Sequence, residues 1–331
     1  MRVSIGFNAD VPVQEIVNHA QYAESAGLEG LWMHEHSFGR DAVSNLSAIA
    51  LSTKSLRVGF GCLSTYVRNP VSIAMTSATL QESSEGRLSL GIGTGFPARL
   101  DLMGIKHKFP ISALKETMDI CRLTWDGNPV TYQGKTFKVK NVKSLLGEVK
   151  TNIPIYVAGW KKQMLKLTGT HADGYLAKGG ESTNSIGQIV SNIASFASTR
   201  SVKDIDIAAY LLTLVANSKE EGVAMAKKDP FVAYMLSVQD DYLYEGTGID
   251  PVLKKPIAEN YFKGNIAGAF DSIKDEMIES FTLTGTRDQV CERVIEYTKK
   301  GLNLPILQPI SMKQDDVKAV IETGSILIRS A

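Results

Sequence analysis

The sequence predicts an α/β fold, a closed (β/α)8 TIM barrel with two insertions. Short apolar runs that read as buried strands alternate with longer runs of helical periodicity from one end of the chain to the other. Eight such strands can be counted, which implies parallel pairing, right-handed crossovers and the closure number of a β/α barrel. The length of 331 residues is within the size of one elaborated barrel, so residues 1–331 are expected to form a single domain. An open, doubly wound sheet is the other arrangement the same alternation allows.

Taken in order, residues 3–7 (VSIGF) are a short apolar run and the first strand. The first helix covers 12–26: Pro12 stands at its start, Ile16, Ala20 and Ala23 recur at helical spacing, and Gly27 ends it. Strand 30–33 (GLWM) and helix 41–53 follow, then strand 56–62 and helix 70–83, which opens on Pro70, then strand 87–92 and helix 112–125. The rhythm then breaks. Residues 129–139 alternate in the β manner on both sides of Gln133-Gly134, which predicts a hairpin inserted outside the barrel, near 129–143. Strand 153–158, helix 161–170, strand 174–177, helix 185–198 and strand 206–215 resume the alternation. The stretch 218–280 is longer than one helix and predicts one or two additional helices over the barrel. Helix 286–300 opens on a capping box, Thr286 with Gln289, and strand 304–308 and helix 314–328 close the barrel.

Composition excludes several classes. Hydrophobic content of 44% and charged content of 21% are those of an ordinary globular protein. A net charge of +1 gives no case for nucleic acid or an anionic membrane as partner. Cys62, Cys121 and Cys291 are widely spaced, with no CxxC pair, so neither a disulfide framework nor a structural zinc site is expected. No basic stretch followed by an apolar one opens the chain, and no apolar run approaches the ~20 residues of a membrane span. The expectation is a cytoplasmic enzyme acting on a small molecule.

A β/α barrel carries its chemistry at the C-terminal ends of its strands. There the chain offers His34-Glu35-His36 after strand two, Gly61-Cys62-Leu63-Ser64 at strand three, Gly91-Ile92-Gly93-Thr94-Gly95 after strand four, Ala158-Gly159-Trp160-Lys161 after strand five and Lys178-Gly179-Gly180 after strand six. Bare backbone at glycine-rich strand ends lets a flat ligand or a phosphate approach closely. Phe96 stands where GxGxxG would need its third glycine, so this is no Rossmann fingerprint. His34 and His36 alone make a poor metal set, since His19, His107 and His171 lie in no motif, and no metal is expected. His36 is the candidate polar group beside a cofactor ring, with a satisfied structural histidine as the other reading. Lys178, beside backbone N–H groups and a helix start, suits a phosphate, with a solvated surface lysine as its alternative. Trp160 is a candidate ring wall, whereas Trp32 reads as barrel packing.

These segments resemble the bacterial-luciferase-like superfamily of flavin- and deazaflavin-dependent barrels. Within it the likeness is to coenzyme F420-dependent oxidoreductases of the methylenetetrahydromethanopterin reductase type. It rests on Ala23-Glu24-x-x-Gly27-Leu28-Glu29-x-x-Trp32, Tyr66-Val67-Arg68-Asn69-Pro70, Gly86-Arg87-Leu88-x-Leu90-Gly91-Ile92-Gly93-x-Gly95, Ile153-Pro154-Ile155-Tyr156-Val157-Ala158-Gly159, Met164-Leu165-Lys166-x-x-Gly169-x-x-Ala172-Asp173-Gly174 and Thr284-Gly285-Thr286-x-Asp288. The resemblance implies a non-proline cis peptide at the end of strand three, here Gly61–Cys62. It implies His36 as the catalytic group beside the ring. It also implies cofactor contacts from Gly61, Cys62 and Ser64, from Gly93, Thr94 and Gly95, from Ala158, Gly159 and Trp160, and from Lys178, Gly179 and Gly180. The implied cofactor is coenzyme F420. FMN, fed by a partner flavin reductase in a monooxygenase, is the alternative, and a non-catalytic flavin-binding barrel is a third reading. Phe96 stands where some deazaflavin dehydrogenases carry a carboxylate. The resemblance further implies a homodimer or homotetramer, paired through the helices after strands two and three.

Overall fold

The structure is a computed structural model that describes residues 1–330 apart from Ala9, Ser37 and Thr199. Eight parallel strands among the described residues close into a barrel: β1 Ser4–Phe7, β2 Gly30–Met33, β3 Arg57–Ser64, β4 Leu88–Gly93, β5 Ile155–Ala158, β6 Gly174–Ala177, β7 Asp206–Val215 and β8 Leu304–Pro309. Each pairs with the next in chain order, and β8 pairs back onto β1 through Ser4↔Ile306, so the closed sheet replaces the open alternative. Helices follow the strands and cover the outside, where Ile5, Leu31, Val58 and Leu90 are fully buried against them.

Local chemistry sets the helix limits. Asn69 Oδ1 accepts from Val71 N–H and Pro70 occupies the first turn of helix Pro70–Ser83; Ser182 caps helix Thr183–Phe196. The predicted capping box at Thr286 and Gln289 is present. Arg87, just before β4, donates to the carbonyls of Ser84, Ala50 and Thr53 at 2.7, 2.8 and 3.0 Å, tying the end of helix Ala42–Ser52 to the bottom of the next unit.

Inside the barrel, large rings fill the space that missing side chains leave. A Cβ on Gly59 would lie 2.3 Å from the Trp32 ring, one on Gly174 2.3 Å from Tyr156, and one on Gly6 2.6 Å from Tyr210. Trp32 and Tyr156 meet edge to face at 5.0 Å, so Trp32 packs the barrel as expected. Below them Arg2 bridges Glu29 and Asp206 at 2.6 and 2.9 Å, and Tyr156 Oη donates to Asp206 at 2.7 Å, closing the N-terminal end.

Three expectations are corrected. The stretch 218–280 holds five α-helices among the described residues, not one or two: Lys219–Ala226, Pro230–Ser237, Lys254–Phe262, Ile266–Ser272 and Asp275–Phe281. Caps at Ser218, Asp229 and Asn265 restart the helix every few residues, which breaks the long-range periodicity. A six-residue helix, Pro97–Leu102, and a short strand, Leu283–Gly285, parallel to the end of β7, were not anticipated. The hairpin exists as Val130–Gln133 and Lys138–Val142, but Gln133 pairs with Lys138, so the turn covers 134–137 rather than Gln133-Gly134 alone. Glu116 decides this: its carboxylate accepts the N–H groups of Lys135, Thr136 and Phe137 at 2.7–2.9 Å.

Candidate functional site

A cavity of about 1070 Å³ opens at the C-terminal mouth of the barrel. The loops after β2, β4, β5 and β6 bring His36, Thr94, Gly95, Gly159, Trp160, Lys178 and Gly179 to its wall. Gly61, Cys62, Ser64, Gly93, Ala158 and Gly180 are not among the lining residues. Tyr210 Oη occupies the space next to Gly61, where a Cβ would lie 1.7 Å away, and Cys62 Sγ packs on Gly93. Ser64 is spent locally, its Oγ accepting from Tyr66 N–H and its N–H donating to Glu35, and Gly180 lies against Gln239. The Gly61–Cys62 peptide bond is cis, as the resemblance implied. Burial, with Glu35 nearby, pushes the Cys62 thiol up to about 12, so it stays protonated and is no nucleophile at neutral pH.

The floor is polar without charge. His34 stacks on Tyr210 with ring centroids 4.0 Å apart, its Nε2 is 3.5 Å from Gln308 Oε1, and Gln308 Nε2 donates to Asn8 Oδ1 at 3.3 Å. Burial pushes His34 down to about 4, against the opposing pull of Gln308 and the Gly61 carbonyl. His36 is lowered too, by burial and then by the positive charge of Arg99, with Asp10 pulling the other way. Both imidazoles are therefore neutral at pH 7 and able to accept or share a proton. Glu35, the residue between them, does not orient His36. It turns to Arg68 Nε at 2.7 Å, and Arg68 reaches on to Asp41.

On the far wall Lys178 Nζ meets Asp240 at 2.7 Å, so the lysine expected to face a phosphate already holds a carboxylate. Trp160 stacks on Tyr242 at 4.2 Å, and Tyr242 Oη donates to the buried Glu181 at 2.6 Å. Burial raises the Glu181 carboxyl above its ordinary value. Asn8, Asp10, Arg99, Tyr234, Asp240 and Gln308 also line the mouth and were missed. Gln308 had a signal, a lone amide in the apolar run Leu304–Pro309, and Asn8 and Asp10 follow a strand end. Arg99 lies on the unanticipated short helix, and Tyr234 and Asp240 lie in the insertion, where nothing local marks them. Among the described residues no group of three or more His, Cys, Asp or Glu is arranged to hold a metal, and no helix is long and apolar enough to cross a membrane.

A closed parallel barrel with a ligand-sized, largely apolar mouth carrying a few convergent polar groups defines a small-molecule-binding β/α barrel of the kind that hosts enzymes. The chain belongs to the luciferase-like monooxygenase family, whose model matches residues 1–304. It is 30% identical over 305 residues to a 5,10-methylenetetrahydromethanopterin reductase of Methanolobus tindarius, covering 91% of this chain and 92% of that one. It is 22% identical to an F420-dependent glucose-6-phosphate dehydrogenase of Mycolicibacterium smegmatis, covering 88% of this chain and 86% of that one. Its fold superposes on the coenzyme F420-dependent tetrahydromethanopterin reductase of Methanopyrus kandleri with a TM-score of 0.90 at 26% identity, over 100% of this chain and 99% of that one.

Proposed function

We propose that the protein is a coenzyme F420-dependent oxidoreductase that moves hydride between the deazaflavin C5 and a small organic or pterin substrate held in this mouth. The observation that carries this is the end-to-end match to the Methanopyrus kandleri reductase, with the chain's cavity at the barrel mouth. The residues present fit such a group. The cavity of about 1070 Å³ has room for a fused ring and a second small molecule. At Gly95 and Gly159, with φ of 73° and 144°, a side chain would strain the backbone and run into Ser64 Oγ or Met164 Cε, so the wall there stays bare. His107 Nε2, in the cavity wall, is buried and has no partner.

In this reading Thr94 and Gly95, Gly159 and Trp160, and Lys178 and Gly179 hold the coenzyme, which when bound supplies a two-electron hydride carrier, and the 61–64 strand end supports the wall from behind. His36, neutral, hydrogen-bonds the substrate and exchanges a proton with it. Trp160, braced by Tyr242, forms one wall, and Phe231, Met235 and Val238 of the insertion keep water out. Lys178 serves a phosphate by sharing its ammonium with Asp240. We also propose a homodimer or homotetramer through helices Ala42–Ser52 and Pro70–Ser83, which leave Leu51 75% and Met75 52% exposed, and a cytoplasmic site of action, which the three free cysteines support.

The test is a fluorescence titration of the protein with coenzyme F420 and, separately, with FMN. Saturable micromolar binding of F420 and none of FMN is expected; FMN binding alone would replace this reading with a reductase-fed monooxygenase. The companion variant is His36→Ala. Its turnover should fall by about 10²–10⁴-fold while its F420 affinity stays within about threefold, and intact turnover would remove His36 from the mechanism.

A further inference from the structure

Arg99 stands on helix Pro97–Leu102 and lines the same mouth. Its Nη2 donates to the Tyr234 hydroxyl at 2.8 Å, and its guanidinium lies 5.8 Å from that ring's centroid. Among the described residues it has no ion pair. Two carboxylates of the mouth are engaged elsewhere, Glu35 with Arg68 and Asp240 with Lys178, each at 2.7 Å, and Asp10, which also lines it, makes no ion pair with Arg99 among the described residues. A guanidinium is charged at every working pH, and a half-buried one without a counter-ion is an incomplete arrangement. Tyr234 in turn meets Tyr261 at 5.8 Å, and Phe96, Ile111 and Phe231 line the same mouth. Arg99 and His36 line the same mouth, and the charge of Arg99 lowers that imidazole's affinity for a proton.

We propose that Arg99 is the anion-binding residue of the substrate half of this site, and that the substrate class is a flat, apolar molecule carrying one carboxylate. The Tyr234 oxygen accepts from Arg99, which leaves its own O–H to donate to the same carboxylate. Guanidinium and phenol together present the donors that a carboxylate takes. Arg99 and Tyr234 by themselves match a monoanion; the other cations of the mouth, Lys161 and Lys178, stand by Trp160 and Asp240. The aromatic walls take the apolar body of the molecule. The inference rests on the proposed function only in assigning the anion to the substrate; a carboxylate on the coenzyme itself offers the same chemistry.

The experiment is calorimetric titration of the full-length chain with benzoate and with benzamide, its uncharged isostere, for the unaltered protein and for Arg99→Gln and Arg99→Lys. Thermal melts establish that each variant is folded. Benzoate should bind at least about tenfold more tightly than benzamide, Arg99→Gln should abolish the difference, and Arg99→Lys should keep part of it. Equal affinities, no benzoate binding at tens of millimolar, or an unchanged preference in folded Arg99→Gln would each overturn the proposal. Parallel titration with coenzyme F420 separates the two sources of carboxylate. Unchanged F420 affinity in Arg99→Gln assigns the residue to the substrate, and a tenfold loss there with benzoate binding untouched overturns that assignment. A chain that selects benzoate through Arg99 yet binds no F420 would sink the proposed function and leave this anion site standing.

Discussion

At Gly61 the barrel interior is set by one oxygen atom. A Cβ would stand 1.7 Å from Tyr210 Oη but 2.8 Å from the next ring atom, and that hydroxyl is buried without a partner. Gly61→Ala should therefore destabilise the protein by about 1–3 kcal/mol or more, the usual cost of overpacking. Tyr210→Phe alone should cost little, because no hydrogen bond is lost, and combined with Gly61→Ala it should recover part of the damage. Additive denaturation midpoints across this pair would contradict the contact. His34 makes a pH prediction. Unfolded, it titrates at its ordinary 6.5; folded, burial holds it near 4. Between those values the unfolded chain binds the extra proton, so stability is fully present above pH 6.5 and is lost as pH falls toward 4. His19, His36 and His171 are shifted in the same direction and share the slope. Melting temperatures should fall across that window, and His34→Asn should flatten part of the fall; an identical slope would show that His34 contributes nothing.

At the scale of elements, Glu116 holds the hairpin turn to the barrel, while Tyr132 Oη donates to Asp119 at 2.9 Å from the first hairpin strand. Glu116, 6% exposed on helix Pro110–Trp125, accepts the three turn N–H groups. Charge-assisted bonds of this kind contribute about 1.5–3 kcal/mol. Glu116→Ala should accelerate amide exchange at 135–137 by about 10–100-fold while the amides of β3 and β4 keep their protection; a uniform acceleration would mean that the substitution loosens the whole barrel. The same hairpin shows why some elements were legible and others were not. Alternation marked its strands, but a glutamate nineteen residues upstream chose the turn, and no local pattern contains it. The barrel strands announced themselves because both of their faces are buried. The helices of the insertion are seven to nine residues long, too short for periodicity to register. The site divided along the same line. The strand-end residues after β2, β4, β5 and β6 were found from topology, while those after β1 and in β8, Asn8, Asp10 and Gln308, were not. Arg99, Tyr234 and Asp240 reach the mouth only through tertiary packing.

Across the whole molecule, the closed sheet followed from counting strands, and the family followed from the order of motifs along nearly the full length. The outer surface carries the proposal about assembly. If helices Ala42–Ser52 and Pro70–Ser83 pair two copies, light scattering at micromolar concentration should give at least twice the chain mass of 36.0 kDa, and Leu51→Lys should shift it toward one chain. A single-chain mass for the unaltered protein would remove the proposal. The closed base has a different kind of consequence. With Arg2, Glu29, Asp206 and Tyr156 knitted across the N-terminal end, and Trp32 and Tyr210 filling the shaft above, the described residues leave no passage through the barrel axis to the cavity. Two molecules can share that cavity. If one lies deeper than the other, a slowly leaving outer guest would hold a spent inner one behind it.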